Sequence, residues 1–134
     1  MKPARICFLI ENDEDDREIF TIALAEVDHS ISCTYAENGV KALDMLRNTP
    51  ELLPYFIFID MNMPLMNGVQ CLQDIKKIDR LANVPVYIYS TVADPKYVAE
   101  VKKLGAVDFI LKPSRFKDLV DILANLLNAL NSSH

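Results

Sequence analysis

The chain has 134 residues, 51% of them apolar, and we expect one globular domain over residues 1–134 with its core from about residue 5 to residue 130. Its formal net charge of -5 argues against a nucleic-acid partner, because binding to phosphates needs a basic surface. The longest apolar runs are too short to cross a bilayer and the first residues lack the pattern of a signal peptide, so we expect a cytoplasmic protein without a membrane partner.

The first half of the chain alternates apolar runs with amphipathic segments. The largely apolar run Arg5–Ile10 ends at acidic residues and predicts a buried strand, and residues 15–27 have helical periodicity. The apolar side chains that this helix would place on one face are Ile19, Phe20, Ala23, Leu24 and Val27. The alternating segment Ile31–Ala36 predicts a second strand, and residues 40–46 predict a helix after the break at residues 38–39.

The second half repeats this alternation. Its predicted elements, in chain order, are a strand over residues 55–60, a helix opening at residues 67–68, a strand over residues 84–90, a helix from Asp94 to Gly105, a strand over residues 107–111 and a final helix from Ser114 to Leu130. Asp94 followed by proline suits a helix cap and first turn, and Gly105 suits a helix end. The side chains predicted to point inward from the helix after residue 68 are Val69, Leu72, Ile75 and Ile78. Five strands alternating with five helices predict an α/β fold with parallel strands and helices on both faces.

Polar residues follow four of the five predicted strands. These residues are Glu11, Asn12 and Asp13 after the first strand, Asp60 after the third, Ser90 and Thr91 after the fourth, and Lys112 after the fifth. In an open parallel sheet, ligands bind beyond the carboxyl ends of the strands, so we expect these side chains to meet at one edge. Carboxylates, a hydroxyl and an ammonium together suit a divalent cation and a phosphoryl group.

Several of these residues also follow a known pattern. Residues 58–68 read FIDMNMPLMNG and place Asp60 before a Met-Pro pair and a glycine. The other matching positions are Ser90 after the fourth strand, Gly105, Ala106 and Phe109 around the fifth strand, and Lys112 with Pro113 after it. From about residue 5 to residue 127 the chain resembles the receiver domains of response regulators, which act in two-component signalling.

The resemblance implies a flavodoxin-like, doubly wound (βα)5 three-layer sandwich with sheet order 2-1-3-4-5. It implies that Asp60 is the phosphoacceptor and that the donor is a phosphorylated histidine of a kinase or of a phosphotransfer protein. It further implies a phosphorelay role for a single receiver domain that has no output domain and is not an enzyme.

The resemblance also implies a Mg²⁺ site. The implied ligands are Asp60, Asn12, the backbone carbonyl of Asn62 and water molecules, with Glu11 acting through those waters and Asp13 as a further candidate. Receiver domains usually have two adjacent carboxylates after the first strand, whereas this chain has Glu11 followed by Asn12. An amide oxygen can bind Mg²⁺ but carries no charge, so we expect weak metal binding.

A switch is implied as well. Lys112 would pair with the phosphoryl oxygens, Ser90 would move to hydrogen-bond one of them, and Phe109 would rotate into the space that Ser90 leaves. This movement would change the surface formed by the fourth helix, fifth strand and fifth helix, where a downstream protein would bind. In the last helix the side chains predicted to face the core are Phe116, Leu119, Val120, Leu123, Leu127 and Leu130. Ile122, Leu126 and Ala129 widen the apolar arc, which indicates either a wide core contact or a surface for a partner or a homodimer.

Three other interpretations remain open. A pseudo-receiver would bind partners without phosphorylation, and Asn12 in place of a carboxylate is the feature that leaves this class open. A phosphatase with an aspartate nucleophile would need a second carboxylate two residues after Asp60, but that residue is Asn62. A flavin-phosphate site would need free N–H groups after the first strand, where residues 11–14 are instead mainly acidic and would repel the phosphate.

Overall fold

The five apolar runs form the strands of one parallel sheet in the computed structural model, which describes residues 5–132. Residues 1–4 and 133–134 of the predicted domain lie outside the described part. The strands are β1 Arg5–Ile10, β2 Ile31–Ala36, β3 Phe56–Asp60, β4 Val86–Ser90 and β5 Asp108–Leu111. Their order in the sheet is β2-β1-β3-β4-β5, and every neighbouring pair is parallel. The predicted flavodoxin-like fold with order 2-1-3-4-5 is confirmed.

Helices connect the strands, and four of them begin at a polar side chain. The helices are α1 Glu14–Val27, α2 Gly39–Asn48, α3 Gly68–Lys76, α4 Pro95–Lys103 and α5 Phe116–Ser132, with a short 3-10 helix, Asp79–Leu81, after α3. The side chains that cap α1 to α4 are Asp13, Asn38, Asn67 and Asp94, each of which accepts a backbone N–H of the first turn. Each such cap stabilises its helix by about 1 kcal/mol. Among the helices of residues 5–132, none is long and apolar enough to cross a membrane.

The turn after α4 requires a glycine at residue 105. Gly105 has a φ of 108°, in the left-handed region that residues with a Cβ rarely adopt. Its N–H donates to the carbonyl of Lys102 at 3.2 Å, and the N–H of Ala106 donates to the carbonyl of Val101 at 2.9 Å. This pair of bonds is a Schellman motif, so the predicted helix end at Gly105 is confirmed.

The sheet separates two hydrophobic layers, and β3 contributes to both. Ile59 faces the layer under α2, α3 and α4, whereas Phe58 faces the layer under α1 and α5. The ring of Phe58 lies 4.9 Å from that of Phe20 and 5.2 Å from that of Tyr87, measured between centroids. Because β3 has a strand on each side and a layer on each face, all of its residues are buried. This packing fixes the strand that ends at Asp60.

Three strands begin later than the apolar pattern predicts. β4 starts at Val86 and not at residue 84, because the N–H of Val84 donates to the carbonyl of Leu81 at 3.0 Å in the preceding turn and Pro85 has no N–H. β3 and β5 each start one residue later than predicted. The prediction that Ser114 caps the final helix is wrong, since α5 begins two residues after it.

Some predicted core faces also differ. Ile19 on α1 and Phe116 at the start of α5 were expected to face the core, but they are 45% and 43% exposed. Ile78 lies beyond the end of α3, although it still packs against the core. Leu126 is buried because α5 packs against α1 as well as against the sheet. At this position the wide apolar arc of α5 is therefore a core contact.

Candidate functional site

The carboxyl edge of the sheet brings together side chains from four strand ends. Glu11 follows β1, Asp60 ends β3, Ser90 ends β4 and Lys112 follows β5. The sheet pairing continues past the strands, since the N–H of Glu11 donates to the carbonyl of Ala36 at 3.0 Å and the N–H of Lys112 donates to the carbonyl of Ser90 at 2.6 Å. The predicted convergence of these residues is therefore observed, and the sheet itself holds them in place.

The Lys112 ammonium lies among three carboxylates. Its Nζ is 2.7 Å from Oε1 of Glu11, 2.9 Å from Oδ2 of Asp16 and 3.7 Å from Oδ1 of Asp60. The same atom lies 5.2 Å from the centre of the Tyr89 ring. Burial alone would lower the pKa of Lys112, because it disfavours the charged amine. Hydrogen bonds to Glu11 and Asp16 and the nearby negative charges have a larger effect, so the pKa of Lys112 is raised above its usual value. Lys112 is thus a fixed cation at the centre of the cluster.

Glu11 is the most deeply buried of these carboxylates, with 1% of its side chain exposed. The pKa of the Glu11 carboxyl is raised to about 7, mainly because the group is buried. A hydrogen bond with Asp60 and the negative charge of Asp60 raise this pKa further, whereas the Lys112 ammonium lowers it. Two carboxylates this close resist ionising together. A further cation at this edge of the sheet would relieve their repulsion.

A shallow cleft of about 250 Å³ lies beside the cluster. Its lining residues are Glu11, Asn12, Asp13, Asp16, Asp60, Asn62, Thr91 and Lys112. Carboxylate, amide and carbonyl oxygens are hard ligands that suit Mg²⁺, which also keeps several waters. Within residues 5–132, no three His, Cys, Asp or Glu side chains are arranged to hold a metal by themselves. Amide, carbonyl and water oxygens would therefore have to complete the coordination of an ion in this cleft.

The remaining candidate ligands occupy the rim of the cleft. Oδ1 of Asp13 accepts the N–H of Asp16 at 2.9 Å, so one carboxylate oxygen of Asp13 already serves as the cap of α1. The N–H of Asn62 donates to Oδ1 of Asp60 at 3.3 Å, and Asn12 is exposed beside them. The structure brings the candidate ligands together, and their metal-binding roles stay predictions.

Ser90 and Phe109 line a second cavity, of about 390 Å³, next to the cluster. The hydroxyl of Ser90 donates to the carbonyl of Val92 at 3.0 Å and accepts the N–H of Val92 at 3.2 Å. Phe109 is half-buried and packs against the core under α4. Ser90 is therefore held in a local turn, and it lines the same cavity as Phe109.

Asp16 is a site residue that the sequence pattern does not reveal. Asp16 lies in a run of five carboxylates over residues 11–16, and acidic residues are common at a helix N-terminus, so the sequence does not single it out. Asp16 is the third residue of α1, and its side chain reaches Lys112, 96 residues further along the chain. No spacing in the sequence signals this contact, because it depends on how α1 lies against the loop after β5.

Comparisons with known proteins show the family of the chain. The response regulator receiver domain family matches residues 7–124. Two-component response regulator ORR13 of Oryza sativa subsp. japonica is 31% identical over 115 residues, which cover 86% of this chain and 92% of that protein. Two-component response regulator ORR7 of the same subspecies is 30% identical over 118 residues, and the chain spans only 54% of its length. Chemotaxis protein CheY of Thermotoga maritima is 35% identical over 88 residues, covering 66% of this chain and 69% of that protein.

Solved structures share the fold. The phosphorylated cyanobacterial phytochrome response regulator RcpA superposes with a TM-score of 0.88 at 23% identity, covering 98% of this chain and 97% of that one. The Mn²⁺-bound form of response regulator Rcp1 gives a TM-score of 0.80 at 21% identity, with 91% of each chain covered. The family match and the fold are those of a signalling domain of two-component systems. The chain belongs to the response regulator receiver domain family.

Proposed function

We propose that this chain accepts a phosphoryl group on Asp60 from a phosphohistidine of a kinase or phosphotransfer protein and relays the signal through protein contacts. One observation carries the proposal. Asp60 ends the central buried strand, and its carboxylate lies 3.7 Å from a fixed ammonium, Lys112, at an open edge of the sheet. A nucleophile and a cation are thus held side by side where a phosphoryl group can reach both.

In the proposed transfer an oxygen of Asp60 attacks the phosphorus atom. An O–P bond forms, the P–N bond of the phosphohistidine breaks, and its electron pair returns to the imidazole nitrogen. Negative charge spreads over the equatorial oxygens of the phosphoryl group, and Lys112 offsets part of it. The chain acts here as an acceptor and signalling module, and not as an enzyme on other substrates.

Mg²⁺ would supply the remaining positive charge when bound. We propose that Asp60, Asn12 and the backbone carbonyl of Asn62 hold it, that Glu11 acts through waters, and that Asp13 is a further candidate. The donor set of the cleft supports this assignment because it is composed of hard oxygen atoms. The solved structure of Rcp1, which contains Mn²⁺, provides a precedent in the same fold.

The proposed output is a change of surface. Ser90 would leave its turn with Val92 to hydrogen-bond the phosphoryl group, and Phe109 would rotate into the space that Ser90 leaves in the cavity that both residues line. The surface of α4, β5 and α5 would then present different side chains to a downstream protein or to a second copy of the chain. We propose that this happens in the cytoplasm, with proteins as partners and neither nucleic acid nor membrane involved, in keeping with the net charge of -5.

A mass measurement tests the proposal directly. The wild-type chain, incubated with acetyl phosphate and Mg²⁺, should gain the mass of one phosphoryl group, because the donor reacts with Asp60 without a kinase. Chelation of the metal should suppress the gain. If no mass is gained with acetyl phosphate or with a phosphorylated histidine donor, the chain is a pseudo-receiver that binds partners without phosphorylation.

Asn12→Asp should strengthen Mg²⁺ binding roughly tenfold, because the change places a full negative charge where the cleft now has a neutral amide. Calorimetric titration with Mg²⁺ would measure the change. Asn67→Asp is the matched control, since it adds the same charge at the cap of α3, outside the carboxylate cleft, and aspartate caps a helix as well as asparagine does. Equal affinities in the two variants would show that Asn12 is not a metal ligand.

A further inference from the structure

Asp16 is the member of the Lys112 cluster that the proposed function leaves without a role. Its Oδ2 accepts a hydrogen bond from Nζ of Lys112 at 2.9 Å, which is shorter than the 3.7 Å contact between that nitrogen and Asp60. A lysine ammonium has three N–H donors. Glu11 and Asp16 take two of them at hydrogen-bond distance, so only one remains for Asp60 or for a group attached to it.

The position of Asp16 is fixed by the fold. It is the third residue of α1, and its N–H donates to the cap residue Asp13 at 2.9 Å. Its side chain is 40% exposed, whereas that of Lys112 is 11% exposed. Asp16 is therefore the more exposed partner in this contact, and it ties the ammonium to the first turn of α1.

We infer that Asp16 is a positioning residue that holds the Lys112 ammonium on the α1 side and competes with a phosphoryl group on Asp60 for it. The inference rests on the proposed function for the identity of the competing group, but the restraint on Lys112 does not depend on phosphorylation. A phosphoryl group must either share the ammonium with Asp16 or displace Asp16 from it. The added negative charge of Asp16 also opposes the arrival of a further anion.

Asp16→Asn isolates this effect. Asparagine keeps a side-chain oxygen that can accept from Lys112 but removes the charge, so the ammonium is held less strongly and the anion is opposed less. Asp15→Asn is the matched control, because it removes the same charge from the same turn of α1 and lies outside the cleft. Both variants remove one favourable charge from the N-terminal end of the α1 dipole. A difference between the two variants in any measurement therefore reports the pairing of Asp16 with Lys112.

The first measurement needs no phosphoryl group. Reductive methylation of the native protein, followed by mass spectrometry of the peptide that contains Lys112, gives the reactivity of this amine. Asp16→Asn should raise the rate roughly threefold, the size expected for a half-exposed ion pair, whereas Asp15→Asn should leave it unchanged. Equal rates in wild type and Asp16→Asn would overturn the inference.

The second measurement uses the phosphoryl mimic BeF₃⁻ in the presence of saturating Mg²⁺. Asp16→Asn should bind the mimic roughly threefold more tightly than wild type, and Asp15→Asn should bind it as wild type does. If Asp16→Asn bound BeF₃⁻ as weakly as wild type or more weakly, Asp16 would not compete with a phosphoryl group for Lys112. If wild type binds no BeF₃⁻ while Asp16→Asn still raises the reactivity of Lys112, the proposed phosphorylation fails and the restraint by Asp16 stands.

Discussion

Asp60→Asn should abolish phosphoryl labelling completely, with no measurable mass gain under conditions that label wild type. An amide nitrogen or oxygen is a far poorer nucleophile than a carboxylate oxygen, and the change removes nothing that holds β3 in the sheet. The loss should not come from unfolding. Asp60→Asn takes one negative charge away from a buried cluster in which three carboxylates surround one ammonium, so stability at neutral pH should be equal or higher.

Asp94→Asn provides the control for this experiment. Asp94 is another aspartate at the same edge of the sheet, and its Oδ1 caps α4 by accepting the N–H of Lys96 at 2.9 Å. Asparagine caps a helix equally well, so this variant should fold and label like wild type. Labelling of Asp60→Asn at the wild-type level would show that another side chain is the acceptor, and a chemical denaturation curve for each variant would separate loss of the acceptor from loss of the fold.

Gly68→Ala should lower the free energy of unfolding by about 1–3 kcal/mol, because the added methyl group overlaps backbone that has no room to move. A Cβ on Gly68 would lie 2.9 Å from Cα of Met61 and 3.1 Å from the carbonyl oxygen of Asp60. The N–H of Gly68 also donates to the carbonyl of Met61 at 3.0 Å, which ties α3 to the residue after Asp60. Urea denaturation would measure the loss, and slower labelling by acetyl phosphate would show that the Asp60–Met61 backbone has shifted.

Gly39→Ala tests whether backbone overlap is the cause. Gly39 is also the first residue of a helix, and a Cβ there would meet Met66, with its Sδ at 2.9 Å. Methionine has three rotatable side-chain bonds and can move aside, so this variant should lose clearly less stability than Gly68→Ala. If the two variants were equally destabilised, the contact with the Asp60–Met61 backbone would not explain the need for a glycine at residue 68.

The sequence predicts the positions of single elements better than their contacts. A continuous apolar run that ends in a carboxylate places Asp60 at the end of a buried strand, and the helix caps at Asp94 and Gly105 are visible as residue types. The order of the strands in the sheet leaves no trace in periodicity, and here it came from the resemblance to receiver domains. Amphipathic patterns show which side of a helix is apolar but not how much of that side is covered, which is why Ile19 and Phe116 proved to be exposed.

In the candidate site too, the positions of residues are predictable from the sequence but their contacts are not. Strand ends predict Glu11, Asp60, Ser90 and Lys112, because parallel strands bring their carboxyl ends to one edge. The contact of Asp16 with Lys112 joins a helix turn to a loop, and its geometry follows from the packing of α1 beside that loop. The turn that holds the Ser90 hydroxyl on Val92 is likewise set by loop conformation and not by residue type.

The cluster joins residues that are made at very different times during protein synthesis. Glu11 and Lys112 are 101 residues apart, and a chain is produced from its N-terminus. Because Lys112 follows β5, its ammonium reaches Glu11 and Asp60 only when β5 is docked at the edge of the sheet beside β4. The proposed uptake of a phosphoryl group by Asp60 therefore requires the complete five-stranded sheet, although Asp60 itself ends the third strand.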